Sequence, residues 1–221
     1  MATGWSWCEP LPAADFSGRC LYLCTPDRPD LERFVEECIL GGVDVVQLRE
    51  KSLDDRRLIE RASALREVCA RHGVPFVLND RPDLALASGA DGVHVGQDDV
   101  PPTVARSILG ADASIGLSTH SPAEWDAAAG EPVDYLSAGP VTETPTKPGR
   151  PGTGVDYLRY VSSTALGRRL PWFVTGGVTP EAIPRLAEAG ATRFVVVRYL
   201  TGSPDPRAAA ARLRRVIDGL A

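Results

Sequence analysis

The 221-residue chain is 43% hydrophobic and 24% charged, ordinary proportions for a globular protein and enough apolar material for one large core. A formal net charge of −5 gives no electrostatic support to a nucleic-acid or membrane-surface partner, and no segment approaches the roughly 20 apolar residues of a membrane span. Five cysteines (Cys8, Cys20, Cys24, Cys38 and Cys69) are odd in number and form no C-x-x-C pair, which argues against a disulfide scaffold or zinc site and for a reducing cytoplasm.

The first residues lack a basic region followed by an apolar run, so they do not read as a signal peptide. Residues 1–19 read instead as an arm, with Trp5 and Trp7 packing it across the domain. A strand at Cys20–Cys24 then leads to a helical stretch near Asp30–Leu40, a strand at Val43–Leu48 to Asp54–Arg71, Pro75–Leu78 to Pro82–Ser88, and Gly92–Val95 to Pro102–Leu109. In the second half, Ser114–Leu117 precedes a helix at Pro122–Ala129, Tyr135–Ala138 one at Val155–Leu166, Trp172–Val174 one at Pro180–Ala189, and Phe194–Val197 one at Pro206–Leu220. Ser121-Pro122 and Thr179-Pro180 each place a capping residue before a first-turn proline. Glycines at Gly41-Gly42, Gly73 and Gly190 mark helix ends before strands. About eight strand-then-helix units imply a parallel sheet and favour an α/β fold closed as a (β/α)8 TIM barrel, one domain over residues 1–221, over an open doubly wound sheet.

In such a barrel the C-terminal strand ends build the active site. The second strand turns polar over Gln47-Leu-Arg-Glu-Lys51. Strand alternation puts Val45, Gln47, Arg49 and Lys51 on one face and Val46, Leu48 and Glu50 on the other. Two cations and an inward amide ask for an anionic partner, either ligand phosphate or the nearby acids Glu50, Asp54 and Asp55. Asp80 before Arg81-Pro82, and Asp98-Asp99 before Val-Pro-Pro, read as helix caps taken singly. Taken together, acids at adjacent strand ends facing Arg49 and Lys51 suit Mg²⁺, which is usually held by one or two carboxylates plus phosphate oxygens. Gly176-Gly177 after the seventh strand is either a tight turn or a phosphate seat made of backbone N–H groups. His94 and His120 have no metal-binding spacing and serve equally as structural groups or substrate contacts.

The motifs QLREK at 47–51, ND at 79–80, GVHVGQDD at 92–99, GLSTH at 116–120, TPTKPG at 144–149, GG at 176–177 and the strand-eight loop at 197–198 occur in one order. In that order the chain resembles the thiamine phosphate synthases from about Leu21 to the C-terminal helix. The resemblance implies an alkyl-transferring enzyme, EC 2.5.1.3, that condenses hydroxymethylpyrimidine diphosphate with the thiazole phosphate and releases pyrophosphate. It further implies that Gln47, Arg49, Lys51, Asn79 and Lys147 bind the pyrimidine diphosphate, with Arg49, Lys51 and Lys147 catalytic and Ser118 on the pyrimidine. Asp80 and Asp99 would hold Mg²⁺; Thr144 and Thr146, with backbone at Gly177, Val197 and Arg198, would hold the thiazole phosphate. The implied partners are small phosphorylated substrates, without nucleic acid or membrane, and a homo-oligomer is compatible.

Arg198 stands where many relatives have Ser, Tyr199 where a small residue is common, and Val141-Thr142-Glu143 replaces a more apolar lead. Two rival readings share the barrel: a thiazole tautomerase-like enzyme, and a non-catalytic thiamine phosphate-binding regulator. Neither explains a complete set of diphosphate and metal residues.

Overall fold

Eight short parallel strands close into one barrel in chain order, with the first pairing both the second and the eighth. The computed structural model describes residues 14–144 and 151–220. Its first half comprises β1 (Leu21–Thr25), α1 (Leu31–Leu40), β2 (Val45–Leu48), α2 (Asp55–Arg71), β3 (Phe76–Asn79), α3 (Pro82–Ser88), β4 (Gly92–Val95) and α4 (Pro102–Leu109). The second half comprises β5 (Ser114–Thr119), α5 (Pro122–Ala127), β6 (Tyr135–Ala138), α6 (Gly154–Ser163), α7 (Ala165–Arg169), β7 (Trp172–Val174), α8 (Ile183–Glu188), β8 (Phe194–Val196), α9 (Arg198–Thr201) and α10 (Pro206–Asp218). The (β/α)8 reading is thus correct. No helix among the described residues is long and apolar enough to cross a membrane.

The alternation of side chains sorts each strand into two layers. Val46 and Leu48 of β2 face outward into the large core shared with Leu58, Ala62 and Leu65 of α2. Val45 faces the barrel axis, where it packs with Tyr22, Val77, Tyr135 and Phe173. Phe16, just before β1, closes the floor by stacking on Tyr135 at a centroid distance of 4.4 Å. Ser114 Oγ bonds Ala14 O, and Arg193 bonds Ser17 O, so residues 14–19 run across the N-terminal ends of the strands. Trp5, Trp7 and Cys8 lie outside the described residues.

Three expectations in the second half need correction. The single helix over Val155–Leu166 is two, α6 and α7, broken where Thr164 is extended at ψ 156. Thr164 Oγ1 accepts from Gly167 N at 3.0 Å and donates to Val161 O at 2.8 Å, which ends one helix and caps the next. A Cβ at Gly167 would stand 2.1 Å from Val161 O, so the turn closes only on glycine. Helix α8 begins at Ile183 rather than Pro180. Pro184 has no N–H to give the carbonyl of residue 180, and the chain instead makes a tight turn on Thr179 O. Helix α9, a four-residue element, was not anticipated between β8 and the last helix.

Candidate active site

Where the strands end, the inward positions change from apolar to polar. Gln47, Asn79, His94, Ser118 and Ser137 follow the inward Val45, Val77 and Tyr135 layer and are nearly buried. Above them opens a cavity of about 730 Å³. Gln47, Arg49, Lys51, Asn79, Asp80, Asp99, Ser118, Thr144, Gly177, Val197 and Arg198 all line it. Thr146 and Lys147 lie outside the described residues.

Arg49 and Lys51 stand just beyond the last residue of β2, on a turn held from outside. The Arg49 N–H donates to Thr25 O at 2.8 Å, continuing the sheet by one residue. Glu50 points the other way, as alternation requires, and its carboxylate accepts from Asp27 N, Lys51 N, Ser52 N and Ser52 Oγ at 2.7–3.2 Å. Glu50 is therefore occupied in shaping the turn. Lys51 reaches across to Asp80, Nζ to Oδ2 2.7 Å, and not to Glu50, Asp54 or Asp55. Asp54 caps α2 by accepting from Arg57 N.

Asp80 is not a helix cap. Arg81 holds the N-cap position of α3, without a side-chain cap bond, and Asp80 sits at φ +64, the one described non-glycine residue with positive φ. Such a conformation costs free energy and persists where the surroundings impose it, commonly at functional sites. Burial pushes the Asp80 carboxyl above its usual value; Lys51 opposes this and the neighbouring Asp99 carboxylate adds to it. Asp99 accepts from Gly96 N at 2.8 Å, closing the turn after β4 rather than capping α4, whose N-cap is Pro101. Two carboxylates and an ammonium thus converge at one point of the rim.

Asn79 presents an unmet donor at the same rim. Its side chain is 7% exposed, and its Nδ2 has no hydrogen-bond partner, the only such buried side-chain atom among the described residues. Leaving a buried donor unmet costs about 1–3 kcal/mol, which an acceptor in the cavity would recover. Its Oδ1 takes only a long bond, 3.5 Å, from Gln47 Nε2.

On the opposite side, Gly176 and Gly177 take φ +92 and +73. A Cβ on Gly176 would lie 2.6 Å from Pro140 Cβ, and one on Gly177 2.3 Å from Thr142 Oγ1. Both positions need glycine for conformation and for space. The backbone thus lies bare toward the cavity, beside Val197 and the start of α9.

Other lining residues went unread in the sequence: Tyr22 and Ser137. Period-two alternation was the available signal for Tyr22 and Ser137, since each shares a face with an inward neighbour. His94 stands between Tyr135 Oη and Ser118 Oγ. His120 Nδ1 is 2.7 Å from Glu124, one helical turn along.

Comparisons with known proteins bear on the family of the whole chain. The sequence model of the family described as thiamine monophosphate synthase matches residues 21–200. A thiamine-phosphate synthase of Mycolicibacterium vanbaalenii is 47% identical over 205 residues, covering 87% of this chain and 91% of that protein. One of Thermobifida fusca is 49% identical over 200 residues, covering 88% and 90% respectively. The solved thiamine phosphate pyrophosphorylase of Pyrococcus furiosus superposes with a TM-score of 0.81 at 30% identity, covering 91% of this chain and 96% of that one. The chain belongs to the thiamine monophosphate synthase family.

Proposed function

We propose that this cavity condenses hydroxymethylpyrimidine diphosphate with the thiazole phosphate, forming thiamine phosphate and releasing pyrophosphate. The carrying observation is the convergence of Arg49, Lys51, Asp80 and Asp99 beside the unmet Asn79 amide. Cations next to paired carboxylates suit a diphosphate that arrives with a divalent metal, and the resemblance to the thiamine phosphate synthases implies the two substrates.

In the reaction the methylene C–O bond breaks with its electron pair leaving on the diphosphate, and the thiazole nitrogen lone pair forms the new C–N bond. No proton is lost, so no protein nucleophile or strong base is needed. The chain's work is to align the two substrates and to stabilise charge growing on the leaving group. Arg49 grips phosphate oxygens with its planar fork, and Lys51 adds a compact charge once it turns from Asp80. Lys147 completes this set. Asn79 Nδ2 and Gln47 position the pyrimidine diphosphate, with Ser118 on the pyrimidine ring.

The Asp80 and Asp99 carboxylates fit Mg²⁺, because a raised carboxyl beside a second carboxylate is a pair that a dication stabilises. No group of three or more His, Cys, Asp and Glu is placed to hold a metal among the described residues, which suits an ion that takes its other ligands from water and phosphate. Asp80 and Asp99 would hold the ion, which would supply positive charge to offset that of the diphosphate leaving group. Thr144, Thr146 and the backbone of Gly177, Val197 and Arg198 hold the thiazole phosphate. Cys20, Cys38 and Cys69 are free thiols, in keeping with a cytoplasmic setting.

The test is to mix the purified chain with both substrates and follow pyrophosphate with and without Mg²⁺. Release that needs both substrates and the metal supports the reading. No release under those conditions removes it.

A further inference from the structure

Beneath the phosphate-binding rim runs a buried hydrogen-bonded chain that gripping phosphate does not require. Tyr22 Oη is 3.0 Å from Tyr135 Oη, Tyr135 Oη is 3.1 Å from His94 Nδ1, and His94 Nε2 is 2.9 Å from Ser118 Oγ. Ser137 Oγ donates to Ser118 Oγ at 3.4 Å. These five residues are 9% exposed or less. Gly116 makes the room: a Cβ there would lie 2.2 Å from Tyr135 Cζ and 2.4 Å from His94 Nδ1.

The direction of the protons follows from satisfying every donor. Burial holds both phenols above their ordinary range, so each keeps its hydrogen. Tyr135 is the one hydrogen-bond partner of Tyr22 Oη among the described residues. Were Tyr135 to donate to Tyr22, the Tyr22 hydrogen would be buried without an acceptor, which is costly. Tyr22 therefore donates to Tyr135, and Tyr135 to His94 Nδ1. A neutral imidazole that accepts at Nδ1 donates at Nε2, so His94 donates to Ser118. With His94 and Ser137 both donating to it, Ser118 has used its two lone pairs. Only its O–H remains for the cavity.

We infer that Tyr22 and Tyr135 are positioning residues that set the His94 tautomer, and that Ser118 consequently meets the pyrimidine diphosphate as a hydrogen-bond donor alone. The site then selects a substrate that presents an acceptor atom to Ser118 and rejects one that presents a donor there. The substrate half of this inference rests on the proposed function; the polarity of the chain does not.

The experiment pairs ¹⁵N NMR of His94, tractable with three histidines in the chain, with steady-state kinetics of Tyr135→Phe, Ser118→Ala and the double variant. Wild type shows the Nε2–H tautomer of His94, and Tyr135→Phe moves it toward a mixture. Tyr135→Phe lowers kcat/KM for the pyrimidine diphosphate about tenfold and leaves KM for the thiazole phosphate within about twofold, since one neutral hydrogen bond is lost. In the Ser118→Ala background the same change costs less than about twofold, because it acts through Ser118. An Nδ1–H tautomer in the wild type overturns the inference, as do losses that multiply in the double variant. If Tyr135→Phe does not fold, Tyr22→Phe supplies the second reading: it leaves the Tyr135 hydroxyl with His94 Nδ1 as its acceptor and so keeps the Nε2–H tautomer, and an Nδ1–H form in that variant overturns the inference. A wild type that makes no thiamine phosphate overturns the proposed function and the substrate half together, while the tautomer still decides the polarity.

Discussion

Asparagine at position 80 separates the charge of that side chain from its shape. Asp80 sits at φ +64, where asparagine is tolerated but alanine costs about 1–2 kcal/mol, so Asp80→Asn is the informative change. Burial and Asp99 raise the folded-state carboxyl above 3.8 in spite of Lys51. A group raised in this way contributes its full stability below 3.8 and loses it as pH rises through the folded value. Ionised Asp80 therefore opposes folding at neutral pH. The Lys51 pair returns little, at most about 1 kcal/mol, because the lysine side chain is 57% exposed. Asp80→Asn is thus expected to melt at or above the wild-type temperature at pH 7, with the difference closing as the pH falls below 3.8. Pyrophosphate release falls by about 10²–10³-fold, the scale of losing one charge-stabilising group at a reacting centre. Thermal melts across pH, run beside the pyrophosphate assay, read both quantities. A fall of more than about 3 °C at pH 7, roughly 1 kcal/mol at this chain length, would refute the electrostatic argument. Turnover within about tenfold of wild type would remove Asp80 from the catalytic set.

Arg49→Ala and Lys51→Ala are each expected to cut turnover by about 10²-fold or more, with melting temperatures near that of the wild type, because both side chains reach open water at the rim. Wild-type turnover in either variant contradicts its role. Glu50→Ala should lower stability by about 1 kcal/mol in urea unfolding at pH 7, since a carboxylate that accepts several donors is lost at a site open to solvent. Burial pushes the Glu50 carboxyl up, but bonds from Ser52, Asp27 and Lys51 outweigh it and hold it below 4.5. Its contribution is therefore present above 4.5 and disappears as pH falls through the lowered value, so the two proteins should converge in acid. Gly177→Ala meets both a φ of +73 and Thr142 Oγ1 at 2.3 Å. It should raise KM for the thiazole phosphate while leaving KM for the pyrimidine diphosphate nearly unchanged, and equal shifts in both would dissociate that turn from the thiazole subsite.

The barrel was legible because short β-branched runs alternate with helical stretches, and each run carries an inward and an outward set. The second strand shows how far this goes: Gln47 faces the axis and Glu50 the outer turn, as period two requires. A separate rule, that C-terminal strand ends share one rim of a barrel, brought Asn79, Asp80, Asp99, Ser118 and Gly177 together from distant parts of the chain. The break at Thr164 was hidden because a threonine that caps two helices, and a glycine chosen for a close carbonyl, leave the hydrophobic period intact. The αL backbone of Asp80 has no local signature, since aspartate before Arg-Pro is equally a cap. Nor does sequence reveal that Lys51 pairs with Asp80 across two strand ends, or that Gly116 is small to admit Tyr135 beside His94. Those facts are made by barrel closure, which joins residues that no local pattern connects.

The most direct measurement is the stoichiometry of thiamine phosphate formed to pyrophosphate released, in the presence of both substrates and Mg²⁺. The account predicts one of each per turnover, and neither when a substrate or the metal is withheld. Pyrophosphate released without thiamine phosphate, or no product of either kind, would contradict it.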